Sequence, residues 1–229
     1  MKTVFLSIAF CAFLQGEIHC HAQTVLPSKT VADEPAKNSD FKSRLDREIP
    51  GLWENDVIGG GLRKGATDIG FTLGGGIGLK ALGSTREHDL VLAGVHYGRV
   101  ISGVFAKDKW YAGNFELRGE IFGGEQISLH DAYIVGATPV LRYTFATESR
   151  LVPFLDFGAG VTATDMKRPD LGSEFEFNSQ GGPGIHFFWN KNLAITAQAR
   201  LMHISNAGIR HPNNGVNVIR ISGGISWFF

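Results

Sequence analysis

His203 and Ser205 stand two residues apart in the stretch RLMHISNAGIRHPNNG, residues 200–215. A serine hydroxyl is a poor nucleophile until a base takes its proton, and histidine is the usual base near neutral pH. Residues i and i+2 of a strand lie about 6.5–7 Å apart along the backbone, close enough for their side chains to bend into a hydrogen bond. Asn206 and the backbone N–H of Gly208 follow at once and are candidate donors to an oxyanion. Gly208 also lets the backbone approach a substrate closely. Together these residue types can carry ester hydrolysis. The same letters also read as a strand running into a turn, since SNAG and HPNNG are good turn sequences. Placement has to decide.

Eight runs of alternating texture fill residues 66–229: 66–80, 88–101, 109–123, 131–146, 151–165, 173–189, 192–205 and 215–229, separated by clusters of Gly, Asn, Asp, Lys and Ser. Most exceed ten residues, which suits tilted membrane-spanning strands of roughly 9–11 residues with overhang. In the third run Tyr111, Phe115, Leu117 and Ile121 share one face, while Asn114, Glu116, Arg118 and Glu120 share the other. In the seventh, Leu193, Ile195, Ala197, Ala199 and Leu201 oppose Thr196, Gln198 and Arg200. One face is almost purely aliphatic and aromatic; the other mixes glycine with a few charges. The fold class this predicts is all-β, an eight-stranded antiparallel transmembrane barrel with lipid outside and a small polar interior. The second run fits badly, because Leu90 and Leu92 fall on the inward face.

The last strand ends on Phe229, with Trp227, Ile225, Ile221 and Ile219 on the same face. So apolar a free edge would aggregate in water, and closure within lipid removes that hazard. Trp110, Tyr111, Trp189 and Trp227 suit interfacial girdles. With an even strand count and a cleaved leader, ATESR and WNKN are expected in the periplasm, and 81–87, 124–130, 166–172 and 206–214 outside.

His203 and Ser205 share the parity of Leu193, Ile195, Ala197 and Leu201. They are therefore expected to point toward lipid, at the outer end of the seventh strand. Polar groups on a lipid face are costly, less so near the interface. An ester substrate at that depth accounts for them.

The rest of the chain bounds the answer. It has 229 residues and a formal net charge of +0, with no basic face to suggest nucleic acid. Residues 1–22 carry one lysine, an apolar run from Thr3 to Leu14 and a plausible cleavage point at Ala22, a secretory signal pattern. Cleavage at Cys20 as a lipoprotein is a second reading, but GEIHC lacks the small residues that it needs. Both cysteines lie in this leader, so no disulfide framework is expected. Residues 23–65 are polar and charged and read as a mostly irregular periplasmic tail. GGGIG at 74–78 is no dinucleotide fingerprint, because no helix follows, and no metal-ligand spacing occurs. His211 reads as a loop histidine; Glu116, Arg118, Glu120, Arg142 and Asp156 read as interior ion pairs.

The stretch HISNAGIRHPNNGVN resembles the signature of the outer-membrane lipid A 3-O-deacylase (PagL) family: His-x-Ser-Asn-x-Gly, a short loop, then Pro-Asn-x-Gly. His203, Ser205, Asn206, Gly208, Pro212, Asn213 and Gly215 match it, and a looser similarity extends over 66–229. The resemblance implies a barrel that hydrolyses the acyl ester at position 3 of lipid A. Its partner is then lipid A or lipopolysaccharide of the outer leaflet, and its place the bacterial outer membrane. It also implies Ser205 as nucleophile, His203 as base, Asn206 and Gly208 as the oxyanion hole, and no cofactor. Oligomeric state stays open, a homodimer included. One position departs: the family has Glu two residues after the last motif glycine, orienting the His, where this chain has Asn217; its carbonyl is expected to accept the imidazole Nδ1–H and fix the tautomer, as in the Cys-His-Asn arrangement of papain-like proteases. The missing charge predicts slower chemistry or a different optimum, and Asn217→Glu is expected to raise activity. The competing reading is a catalytically silent structural or adhesive barrel that keeps the motif as a loop scaffold. A small-solute channel is a third, disfavoured because eight strands leave little lumen.

Overall fold

The structure is a computed structural model that describes residues 63–147, 149–166, 169–190 and 192–229. The leader, and the tail read from sequence up to residue 62, lie outside the described residues. Eight strands follow one another: β1 Thr67–Leu79, β2 Leu90–Val100, β3 Gly113–Gln126, β4 Ala132–Phe145, β5 Leu151–Thr164, β6 Phe175–Phe188, β7 Leu193–Ser205 and β8 Val216–Phe228. Each pairs antiparallel with its sequence neighbours, and β8 closes on β1, with Asp68 opposite Phe228 and Leu79 opposite Asn217. Closure pairs the apolar C-terminal strand and leaves no edge.

Alternation sets the two faces, because successive side chains of a strand point to opposite sides. Ile69, Phe71 and Leu73 of β1, Leu117 and Ile121 of β3, and Ile219, Ile221 and Ile225 of β8 all face outward and are exposed. They form the apolar belt that contacts lipid. Trp110, Tyr111, Trp189 and Trp227 are exposed at the end of the barrel where β1 begins and β8 finishes. The opposite end carries the His203–Gly215 stretch and is called the motif end below.

The third strand differs from its sequence reading. It starts at Gly113 rather than near residue 109 and runs on to Gln126. Residues 101–112 form a loop, tied by the Phe105–Gly113 bridge, so Tyr111 lies outside the strand. Gly123 and Gly124 look like turn residues but stay in register with Val135 and Ile134 of β4. Strand pairing on both sides overrides their weak local preference.

The interior is layered rather than uniformly polar, which corrects the sequence reading and explains the second run. At the motif end Leu90 and Leu92 pack with Phe122, Ile134, Met202 and Val218 in an apolar core. At the other end Val152, Phe188, Ala194 and Phe228 form a second apolar layer. Between them lies a band of charge. Asp156 takes two contacts from Arg142, at 2.7 and 2.8 Å, and one from Arg200 at 2.6 Å. Glu120 joins Arg200 at 2.8 Å to Arg220 at 2.7 Å. Arg118 joins Glu116 at 2.7 Å to Asp68 at 2.6 Å. Each arginine thus meets a carboxylate, which is what allows so many charges to be buried. These side chains fill the barrel as they do in other narrow eight-stranded barrels.

Candidate active site

His203 and Ser205 lie at the motif end of β7, on the outer wall, with Leu201 exposed one step further down the same face. Both are half-buried. His203 Nε2 is 3.0 Å from Ser205 Oγ, and His203 Nδ1 is 2.7 Å from Asn217 Oδ1. The register explains the second contact: His203 and Asn217 are direct partners across β7 and β8. Asn217 shares the outward face with Ile219 and Ile221, yet is only 1% exposed. The β1–β2 loop folds over it, and its Nδ2–H donates to the Ala81 carbonyl at 2.6 Å.

A carbonyl oxygen can only accept, so the Asn217 amide must turn its NH₂ toward Ala81 and its oxygen toward His203. The imidazole then donates from Nδ1, and the bare Nε2 accepts from the Ser205 hydroxyl. This is the protonation pattern that a general base beside a serine needs.

The loop that follows β7 is braced by its own side chains. Asn206 N–H donates to Asn213 Oδ1 at 2.9 Å, which gives the motif's second asparagine a role. Asn206 Oδ1 accepts from Gly208 N–H at 3.1 Å, and its Nδ2–H donates to the Arg210 carbonyl at 3.0 Å. The two oxyanion donors assigned from sequence are therefore both engaged within the loop, and Asn206 is buried. Gly208 and Gly215 adopt φ of +81° and +78°, left-handed conformations that glycine takes without steric cost. Gly215 lies against the imidazole, so close that a Cβ there would stand 2.8 Å from His203 Cε1. Pro212 closes the loop against Gly172 of the β5–β6 connection. His211 is exposed, in keeping with a loop residue.

The Asp170 carbonyl accepts from the N–H groups of Asn214 and Gly215, at 3.0 and 3.3 Å. Its buried carboxylate meets Thr85 at 3.1 Å and His88 Nε2 at 3.1 Å. Asp170 thus joins the β1–β2 and β5–β6 loops to the motif loop. Neither Asp170 nor Ala81 stood out in the sequence. Their contacts span separations of 82 and 136 residues, and a backbone carbonyl has no letter of its own.

Two shallow depressions in the outer wall meet at His203. One, about 600 Å³, is lined by Leu82, Phe157, Gly181 and Leu201; the other, about 380 Å³, by Val161, Phe177, Ser179 and Ser205. Small residues on β5 and β6 create them, since Ala159, Ser179 and Gly181 interrupt a row of large outward side chains. Apolar walls beside a hydroxyl–imidazole pair suit a substrate that is part hydrocarbon and part ester. Among the described residues, no group of three His, Cys, Asp or Glu side chains is placed to hold a metal ion.

A closed barrel with an apolar belt defines a β-barrel protein of the bacterial outer membrane, and its wall carries a serine, a histidine and an asparagine joined by hydrogen bonds. More particularly, the chain belongs to the Lipid A 3-O-deacylase (PagL) family, whose profile matches residues 91–226. It is 34% identical over 110 residues to the lipid A deacylase PagL of Pseudomonas aeruginosa. That match covers 47% of this chain and 57% of the relative. The barrel is similar to the crystal structure of the outer membrane enzyme PagL, with a TM-score of 0.51 and 20% identity over 69% of this chain and 97% of that one. It is equally similar in fold to Neisserial surface protein A, at a TM-score of 0.51 and 14% identity over 72% of this chain and 97% of that one. Two structures so different in name share the backbone, so the fold alone does not assign the chemistry.

Proposed function

We propose that the protein is an outer-membrane carboxylic ester hydrolase that removes the acyl chain from position 3 of lipid A in the outer leaflet. The observation that carries this reading is the Asn217–His203–Ser205 chain of hydrogen bonds on the lipid-facing wall. Family membership points to the same substrate, which is what the Pseudomonas aeruginosa relative is named for.

In this reading Ser205 Oγ attacks the ester carbonyl carbon while His203 Nε2 takes its proton. The tetrahedral intermediate collapses, the sugar oxygen leaves, and Nε2 returns the proton to it. Water, deprotonated by the same nitrogen, then attacks the acyl-serine; the fatty acid departs and Ser205 regains its proton. Charge developing on the carbonyl oxygen is met by Gly208 N–H, which trades the neutral Asn206 amide oxygen for an anion, a stronger partner. Asn206, buried and bonded to the Arg210 carbonyl, holds the loop that presents this N–H. The steps need no cofactor, and one copy of the chain carries every group named. The motif end then faces outward, where lipid A resides.

Mass spectrometry of lipid A from cells expressing the gene tests this. Wild type should remove one hydroxyacyl chain, and Ser205→Ala should remove none. Unchanged lipid A with both proteins would make the molecule a silent barrel.

A further inference from the structure

We infer that the Ala81 main-chain carbonyl is the outermost member of the catalytic relay: it fixes the orientation of the Asn217 amide and, through it, the tautomer of His203. The inference rests on the hydrolase reading and adds a group, and a loop, that the reading does not contain.

An aspartate or glutamate can accept an imidazole N–H with either oxygen. An asparagine can do so only in one of its two flipped states, and in the other its NH₂ faces the ring. Something must choose. The Asn217 Nδ2 to Ala81 oxygen distance is 2.6 Å, and reversing the amide would set two carbonyl oxygens at that separation. Asn217 is almost wholly buried, so water cannot substitute for the missing partner, and a reversed amide is strongly disfavoured. The carbonyl therefore keeps Oδ1 on His203 Nδ1 and leaves Nε2 bare for Ser205.

The carbonyl is itself placed by a tight turn. Ser84 N–H donates to the same Ala81 oxygen at 2.9 Å. Leu82 and Gly83, between them, adopt φ of +50° and +99°, the two left-handed positions of a type I′ turn. A leucine there is an outlier, and such strain persists where the surrounding structure demands it. The side chain so displayed is 72% exposed and lines the depression beside His203. One turn thus sets the relay from behind and forms part of the wall in front.

This reverses the expectation from sequence that an acidic residue at 217 would help. A carboxylate there has no N–H for Ala81 and brings negative charge against its oxygen. Asn217 is then a positioning residue specified as an amide, and catalysis depends on the β1–β2 loop being seated.

The test uses the folded full chain in detergent micelles, with folding scored by the mobility shift of unheated barrels on gels. Asn217→Asp keeps the size and the acceptor, deletes the donor and adds the charge. The expected result is a fall in kcat of about 100-fold, the lower end of what a positioned general base contributes, with little change in KM. Trypsin should cut after Lys80 and Arg86 faster than in wild type. Leu82→Pro, which cannot take the positive φ of the turn, should lower kcat to a similar degree with Asn217 intact. A kcat held or raised in either variant, or a fall in Asn217→Asp with the loop as resistant as before, overturns the inference. Imidazole nitrogen shifts by NMR separate this from the hydrolase reading. A wild-type proton on Nδ1 with no deacylation sinks the proposed function alone, and a wild-type proton on Nε2 sinks the relay whatever the activity.

Discussion

Gly215→Ala tests how tightly the imidazole is held. A Cβ at residue 215 would lie 2.8 Å from His203 Cε1 and 3.3 Å from the Ile204 carbonyl oxygen. Ordinary contact begins near 3.4 Å, so the ring must retreat by about 0.6 Å, from 2.8 to 3.4 Å. The ring is bonded on both sides, to Asn217 at 2.7 Å and to Ser205 at 3.0 Å. It cannot move that far without lengthening one of these bonds. A misplacement of about 1 Å can cost 100-fold in rate, so a fall in kcat of about 10- to 100-fold is expected. The substitution also places a methyl group at φ +78°, a left-handed conformation that costs an ordinary residue about 1–2 kcal/mol. Gly65→Ala is the control. Its φ is +97°, a Cβ there meets nothing within 4 Å, and it lies at the other end of the barrel. Both variants should lose similar stability in urea titrations of the refolded barrel, and only Gly215→Ala should lose deacylation of purified lipopolysaccharide. Equal kcat values for the two variants would refute the claim that the glycine is there to seat the imidazole.

Two other expectations concern what holds the wall and the loops. Asp156→Asn leaves Arg142 and Arg200, both almost wholly buried, without the carboxylate that takes three of their contacts. Breaking a buried pair in this way costs about 3–5 kcal/mol, and the urea midpoint should drop accordingly; a loss under about 1 kcal/mol would show that Glu120 and water suffice. Asp170→Asn weakens the contacts to Thr85, His88 and Arg86 that join the β1–β2 and β5–β6 loops. Amide hydrogen exchange should quicken over 80–89 and 206–215 with the strands unaffected, and uniform exchange across the barrel would contradict this division.

The sequence by itself determined the strand count and the faces. A period of two is local, and each outward Ile or Phe announces its side without help from a partner, as in Leu193, Ile195 and Leu201. The same parity places His203, Ser205 and Asn217 on the outer face with no reference to strand pairing. Tertiary structure decided what depends on closure. Leu90 and Leu92 look misplaced until β2 meets Phe122 and, across the barrel, Met202 and Val218, where they form an apolar layer. The start of β3 was set by its neighbours, because glycine-rich stretches have little preference of their own. The pairing of arginines with the carboxylates of the charged band joins residues up to 100 positions apart. Most of all, the tie from Asn217 to Ala81 could not be read, because it joins a side chain to a main-chain oxygen that every residue possesses. Only the closing of β8 on β1, which sets Leu79 beside Asn217, selects the carbonyl two residues further on.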